Sequence, residues 1–324
     1  MNRFEKRVEK HIRNIFPGCK INRIKSVGKN PDKGWESTRT YEVELSTADG
    51  KRGVFVKRFS RRFVNSMKNE IKATVRLGKK EEARVPLVHG FFSDINSFIF
   101  EPAEGVDLNR YVLSKYMRPP RARTRDDMGF FVKEVAKGIA FVQNTGEGRD
   151  TRFSYESFKA LASNRNPELK NLIESNRELS GIVDSIDGSR QRMAMGYNDL
   201  KASHVYVADG SIKIIDFCPF SLKWFFINPV AFSVSLELSQ KAPFFRRKDF
   251  LSLRKTFYDE YLGMLGWKVD PAFLDGMEIL KKCELLCYFR NALKSGAPLK
   301  HSVSMKLDMK RLLKGIRDSG IINL

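Results

Sequence analysis

Phe4, Val8, Ile12 and Ile15 recur at helical spacing with basic residues between them, which predicts an amphipathic helix over residues 4–16. Such a stripe either packs on its own domain or lies on a membrane surface, and packing is the expected case here. From Ile21 the period shortens. "INRIKSV", "TYEVELS" and "GVFVKRF" are short, β-rich and partly alternating, with "TADGKR" as a hairpin turn between the second and third. The loop "GKNPDKGWES" separates the first two. Phe63, Val64, Met67, Ile71 and Val75 then fall on one helical face that stops near Gly78, and "LVHGFFS" and "SFIFE" read as two further strands turned by "DIN". These elements predict a compact sheet domain over residues 1–103.

Beyond "EPAEGVDL" the pattern is mainly helical, giving a second domain over 104–324. Thr124 followed by Asp127 has capping-box spacing ahead of Phe131, Val135, Ile139 and Val142, and Gly146 marks the stop. Residues 147–190 are polar with weaker periodicity and read as an insertion. Residues 229–320 are helical again. Between them, "VYV" and "SIKII" flank Asp209-Gly210, a tight-turn signal that predicts a hairpin. A hairpin keeps its ends together, so Asp199 and Asp216 arrive at one rim. Two carboxylates there suit proton transfer or a divalent cation, or are merely solvated turn residues.

Composition adds limits. The 324 residues are 42% hydrophobic and 30% charged, enough for a core and ordinary for a folded protein. No apolar run approaches the roughly 20 residues of a membrane span. The first residues lack the apolar centre of a secretory leader, and Cys19, Cys218, Cys283 and Cys287 form no Cys-x-x-Cys pair, so reduced thiols in a cytoplasm are expected. The net charge of +21 is the abnormal quantity. It points to anionic partners: phosphates, nucleic acid or an acidic membrane face. Residues 1–103 hold 23 Lys and Arg against 12 Asp and Glu, so the first third is the more basic part. Basic clusters at Arg58, Arg61 and Arg62 and at Arg246-Arg247-Lys248 are candidate contacts with an acidic surface.

The order of these parts resembles the protein-kinase-like fold over about residues 20–290. "YNDLKASH…IIDF" is similar to the catalytic-loop and metal-binding segments of kinases, "VFVK" to their third-strand lysine motif, and Glu70 follows Lys57 by 13 residues on the next helix. The resemblance implies an α+β, bilobal architecture. An N-terminal five-stranded antiparallel sheet with one helix would sit against a mainly helical C-terminal lobe. It implies ATP and Mg²⁺ as cofactors and a role for each residue. Lys57 would hold the α/β-phosphates and Glu70 would fix its ammonium. Asp216 would bind the metal, Asp199 would accept the acceptor's proton, and Lys201 would neutralise the moving phosphoryl group. Gly28, Gly34 and Ser37 stand where a phosphate-covering loop belongs, without its usual spacing. Glu101 and Ala103 would face the adenine. Read singly, Lys57 is a strand lysine and Glu70 one more helix charge; their joint order carries the reading.

Departures narrow the subfamily. No glycine follows Asp216-Phe217, and the stretch up to "INPVAF" is too short for a peptide-docking activation segment. "NPVAFSVSLEL" resembles aminoglycoside phosphotransferases and choline kinases, in which an insertion like 147–190 helps to build the acceptor pocket. His204 stands where most kinases have a second metal-binding asparagine, and its Asp-x-x-x-x-His spacing resembles lipopolysaccharide core-sugar kinases. Its imidazole could bind metal or phosphate. The expectation is a phosphotransferase acting on a hydroxyl of an anionic small-molecule or glycolipid acceptor, cytoplasmic, with peripheral contact to an acidic membrane and no specific nucleic acid. Tyr197-Asn198 and His204 keep open a catalytically weak or dead kinase-like binding module. Nucleic-acid binding rests on charge alone, and the oligomeric state is not legible.

Overall fold

A computed structural model of the chain describes residues 2–27, 38–146, 148–154, 167–197, 200–208, 210–239, 241–296 and 298–318. Helix α1 (Arg3–Ile15) opens on a capping box between Asn2 and Glu5 and fully buries Val8 and Ile12. These pack on Val43, Leu45, Val54, Val56 and Ile99, so the stripe serves the protein's own core. Five antiparallel strands follow in the order β1-β2-β3-β5-β4: β1 (Lys20–Val27), β2 (Arg39–Thr47), β3 (Gly50–Arg58), β4 (Val88–Phe92) and β5 (Ser97–Phe100). The helix expected between β3 and β4 is broken into α2 (Arg61–Ser66) and α3 (Lys68–Leu77) at Met67, whose ψ of 39° leaves the helical region. Asn65 and Ser66, whose side chains compete for backbone hydrogen bonds, sit at the break.

The chain then enters its helical part through the short strand β6 (Val106–Asp107). Asp107 caps α4 (Leu108–Lys115), accepting the Arg110 amide at 3.0 Å. The central helix α5 (Ala122–Thr145) buries Val132, Val135, Ala136, Ile139 and Ala140. It starts earlier than its capping-box spacing implies. Arg121 is the N-cap and makes no side-chain cap, and Asp127 instead accepts the Tyr111 hydroxyl at 3.0 Å. The polar region holds β7 (Gly148–Arg152), α6 (Pro167–Glu174) and α7 (Arg177–Ile186). The hairpin forms as expected from β9 (Val205–Ala208) and β10 (Ser211–Ile214), with β6 added on the β9 side. A second three-stranded sheet was not anticipated: β8 (Arg190–Gly196) pairs with β7 and with β11 (Ser221–Trp224). "RQRMAMG" is poor in β-branched residues, so only its partners make it a strand.

Helices α8 (Ile227–Leu238), α9 (Arg247–Met264), α10 (Pro271–Lys294) and α11 (Leu299–Arg317) complete the chain. The buried Glu237 of α8 pairs with Lys282 of α10 at 2.8 Å and with Arg247 of α9, which fixes α8 from two sides. The larger core runs from Ile71, Leu77, Val88 and Phe98 through α5 and the C-terminal helices. The two parts of the molecule are therefore packed on a shared apolar seam.

Candidate active site

A cavity of about 320 Å³ opens between the sheet and the helical part. Five of the residues singled out from the sequence line it: Lys57, Glu101, Ala103, His204 and Asp216. Strand alternation puts Lys57 there. Val54 and Val56 turn to the core under α1, so Phe55 and Lys57 face the cleft from the other side of β3. Phe55 lies opposite Phe100 in register and stacks on it with centroids 6.0 Å apart, forming an apolar wall.

Lys57 is buried, and its ammonium donates to Asp216 Oδ1 at 2.6 Å across 159 residues of chain. Asp216 follows β10 with φ of 53°, in the left-handed region that non-glycine residues enter at a cost of about 1–3 kcal/mol. Its predecessor Ile215 donates its amide to the His204 carbonyl at 2.8 Å, and this clamps the hairpin's open end while the chain turns out toward Lys57. His204 closes a 3-10 turn, Ala202–His204, whose Ala202 amide donates to Ser235 Oγ on α8 at 2.7 Å. Beyond Asp216, the buried Cys218 thiol is pushed up to about 12 by burial and stays neutral. Phe220 donates its amide to Thr74 Oγ1 at 2.8 Å, and Thr74 donates in turn to the Glu70 carbonyl at 2.7 Å. Helix α3 is thus tied to the segment after the aspartate.

Two expected contacts are arranged differently. Glu70 sits in the first turn of α3, and no ion pair among the described residues joins it to Lys57, whose partner is Asp216. The carboxylate of Glu101 is held by Arg52 and lies 3.6 Å from His89 Nε2, with burial lowering the imidazole's pKa. The Glu101 amide donates to the Leu87 carbonyl at 3.0 Å. Lys201 is exposed on the loop before the 3-10 turn. Gly28, Gly34, Ser37 and Asp199 lie outside the described residues.

The stretch leading into Asp199 is nonetheless well anchored. Tyr197 is fully buried; its hydroxyl donates to the Ala83 carbonyl at 2.7 Å, and burial raises its pKa strongly. Its ring meets Phe220 edge-on at 5.3 Å, and Phe217 links Phe220 to Phe100, which makes an aromatic chain from the sheet to the loop. Its carbonyl accepts from Lys223 Nζ at 2.7 Å and from Asn228 Nδ2 at 3.2 Å. Gly196 makes room for both. A Cβ there would fall 2.4 Å from Asn228 Oδ1 and 3.2 Å from Lys223 Cδ. Lys223 and Asn228 were not singled out from the sequence, because a lone lysine in "SLKW" carries no motif.

Among the described residues the cavity offers a metal two hard carboxylates, Asp216 and Glu101, the second of them held by Arg52. Mg²⁺ is held through one or two carboxylates together with substrate phosphates and waters, so this donor set fits it. The His204 nitrogen is a softer donor, better suited to a phosphate oxygen.

No protein-family model and no curated protein matches the sequence. Solved structures do match in shape. The choline kinase LicA from Streptococcus pneumoniae is 13% identical with a TM-score of 0.54, covering 98% of this chain and 100% of its own. The amicoumacin kinase hAmiN, solved with AMP-PNP and Ca²⁺, is 13% identical with a TM-score of 0.57, covering 97% and 93%. A choline kinase from Cryptosporidium parvum is 14% identical with a TM-score of 0.55, covering 98% of both chains. Over nearly its whole length, the chain has the protein-kinase-like fold that these small-molecule kinases share.

Proposed function

We propose that the protein transfers the γ-phosphate of Mg·ATP to a hydroxyl of a small-molecule acceptor, with lobes 1–103 and 104–324 closing on the nucleotide. The carrying observation is the meeting of Lys57 and Asp216 at 2.6 Å on the wall of the interlobe cavity. Phosphoryl transfer asks a protein for placement and charge neutralisation, and this pair offers one cation and one anion for those tasks. On nucleotide binding, Lys57 exchanges Asp216 for the α/β-phosphates, and the freed carboxylate holds the metal. When bound, Mg²⁺ neutralises charge on the phosphates. The apolar wall of Phe55 and Phe100 takes the adenine. Because the Glu101 amide is engaged with Leu87, base recognition falls to the Glu101 carbonyl and to Ala103. Asp199 orients the acceptor hydroxyl and takes its proton, Lys201 balances charge on the moving group, and His204 hydrogen-bonds a phosphate oxygen.

A net charge of +21 favours an anionic acceptor, such as a phosphorylated or lipid-linked sugar, over a cationic amino alcohol like the choline of two structural neighbours. ATP turnover with Mg²⁺ against a panel of sugars, amino alcohols and glycolipids tests the reading. Asp199→Asn should retain ATP binding and lose about 10²-fold or more in turnover, the scale of a lost acid/base group, whereas Asp216→Ala should lose metal-dependent nucleotide binding. Binding without turnover on every acceptor, unchanged by Asp199→Asn, would favour a kinase-like module that holds nucleotide without chemistry.

A further inference from the structure

A second cavity, of about 860 Å³, lies outside the nucleotide cleft, where β6, the C-terminal end of α4, the start of α5 and the tip of the β9–β10 hairpin meet. Lys115, Arg121 and Arg123 line it, and none of the three has a carboxylate within ion-pair distance among the described residues. Among the described residues that line it, the one acidic residue, Asp127, accepts the Tyr111 hydroxyl. The surrounding sequence is one-sided. From Leu108 to Arg125 there are six Lys and Arg and no Asp or Glu. Large apolar side chains are exposed in the same place. Val106 (45% exposed) and Phe130 (40%) line the cavity, Leu113 (39%) lies on α4, and Met117 (57%) lies on the connection from α4 to α5.

Among the described residues these cations lack a carboxylate partner, Lys115 lying instead over the Tyr111 ring at 5.7 Å, and their interleaving with exposed apolar side chains matches one kind of partner. We propose that this face docks on an anionic membrane, with a lipid headgroup phosphate entering the cavity against Lys115, Arg121 and Arg123 and with Val106, Leu113, Met117 and Phe130 reaching the acyl boundary. Cations supply long-range attraction to anionic lipid, and apolar side chains supply the short-range hold. A single-stranded nucleic acid would use the same cations, but it needs exposed aromatic platforms for its bases; of the aromatic residues lining the cavity, Phe131 is buried, Tyr111 is half-buried with its hydroxyl on Asp127, and Phe130 alone is exposed. No residue lines both this cavity and the interlobe one, and the proposal does not depend on whether the protein turns over ATP.

The test is co-sedimentation of the full chain with phosphatidylcholine vesicles, with and without phosphatidylglycerol, at about 0.1 M salt, where exposed charges still act over a Debye length of about 10 Å. The wild type should partition to the anionic vesicles and not to phosphatidylcholine alone. Each surface cation is expected to contribute about fivefold, so Arg121→Glu/Arg123→Glu should lose at least about tenfold. Phe130→Ser should weaken binding while leaving the charge intact. Arg61→Glu/Arg62→Glu, in a basic cluster that the sequence alone offered as a contact with an acidic surface but that does not line this cavity, carries the same charge change and on this proposal should stay within about twofold of wild type. Thermal melts coincident with wild type establish that the variants are folded. Equal partition of wild type and Arg121→Glu/Arg123→Glu, an equal loss in the Arg61/Arg62 pair, or equal binding to uncharged vesicles overturns the proposal. So does displacement of the wild type from anionic vesicles by an oligo-dT strand at lower concentration than by an inorganic polyphosphate of equal charge, which would assign the face to nucleic acid.

Discussion

At the residue scale, Lys223 shows what a motif cannot carry. Its ammonium donates at 2.7 Å to the Tyr197 carbonyl, two residues before Asp199, and Gly196 is kept bare to admit it. A catalytic base works only when held in place, and a misplacement of about 1 Å can cost about 10²-fold. Lys223→Met should therefore lower kcat by about tenfold or more while leaving the KM for ATP unchanged, with part of the rate returned by Lys223→Arg. Equal falls in kcat and in folded fraction, read from a melt of the same sample, would reduce Lys223 to a packing residue. Tyr197→Phe is a milder change. It leaves the buried Ala83 carbonyl without its donor, at a cost of about 1–3 kcal/mol in urea unfolding. Lys57 and Asp216 were legible because their neighbours repeat a known order. Lys223, Asn228 and the Arg52–His89 pair around Glu101 were not, since each acquires meaning only when strands distant in sequence are brought alongside.

At the element scale, periodicity located most of the helices and the five strands of the first sheet, because each has a one-sided apolar face of its own. It failed where pairing rather than pattern makes the element. β8 and β11 are strands by mutual register, Ser221 to Gly196 through Trp224 to Met193, and neither alternates clearly on its own. The capping-box reading of Thr124 failed for a related reason, because Asp127 was drawn off by the Tyr111 hydroxyl. The β6–β9 contact depends on one backbone position. Gly105 has φ of +90°, and a Cβ there would fall 2.1 Å from the Val207 carbonyl oxygen. Gly105→Ala should destabilise by more than about 1 kcal/mol, through left-handed strain and loss of that pairing. Gly129, within α5 and with nothing inside 4 Å of its missing Cβ, gives the opposite sign. Gly129→Ala should stabilise by up to about 1 kcal/mol through helix propensity. Paired urea titrations measure both, and a shift of the same sign in the two variants contradicts this account of Gly105.

At the scale of the whole molecule, the sheet and the helical part share an apolar seam and are bridged by ion pairs that include Arg84 to Glu134 and Lys57 to Asp216, and on the proposed function nucleotide binding breaks the Lys57–Asp216 pair. The two partners are not equivalent. Lys57 is buried, whereas 41% of the Asp216 side chain is exposed to solvent. Removing the aspartate strands an ammonium in a poorly solvated place, while removing the lysine leaves a carboxylate that water still reaches. In the ligand-free protein, Asp216→Asn keeps an acceptor oxygen for the ammonium but removes its counter-charge and should cost about 1–3 kcal/mol, the scale of a hydrogen bond to a charged group, and Lys57→Met should cost less. With Mg·ATP present the comparison changes. A ligand that binds only the folded state at about 100 times its Kd raises stability by about 2.7 kcal/mol, which both variants should forfeit in large part if, as proposed, each loses one of the two groups that meet the phosphates or the metal. Thermal unfolding of wild type and both variants, each with and without Mg·ATP, resolves the four terms. Equal ligand-free costs would show that the ion pair is screened and structurally indifferent. A full nucleotide-induced rise in Asp216→Asn would show that the cleft binds ATP without the carboxylate, and the role assigned to that residue would fall.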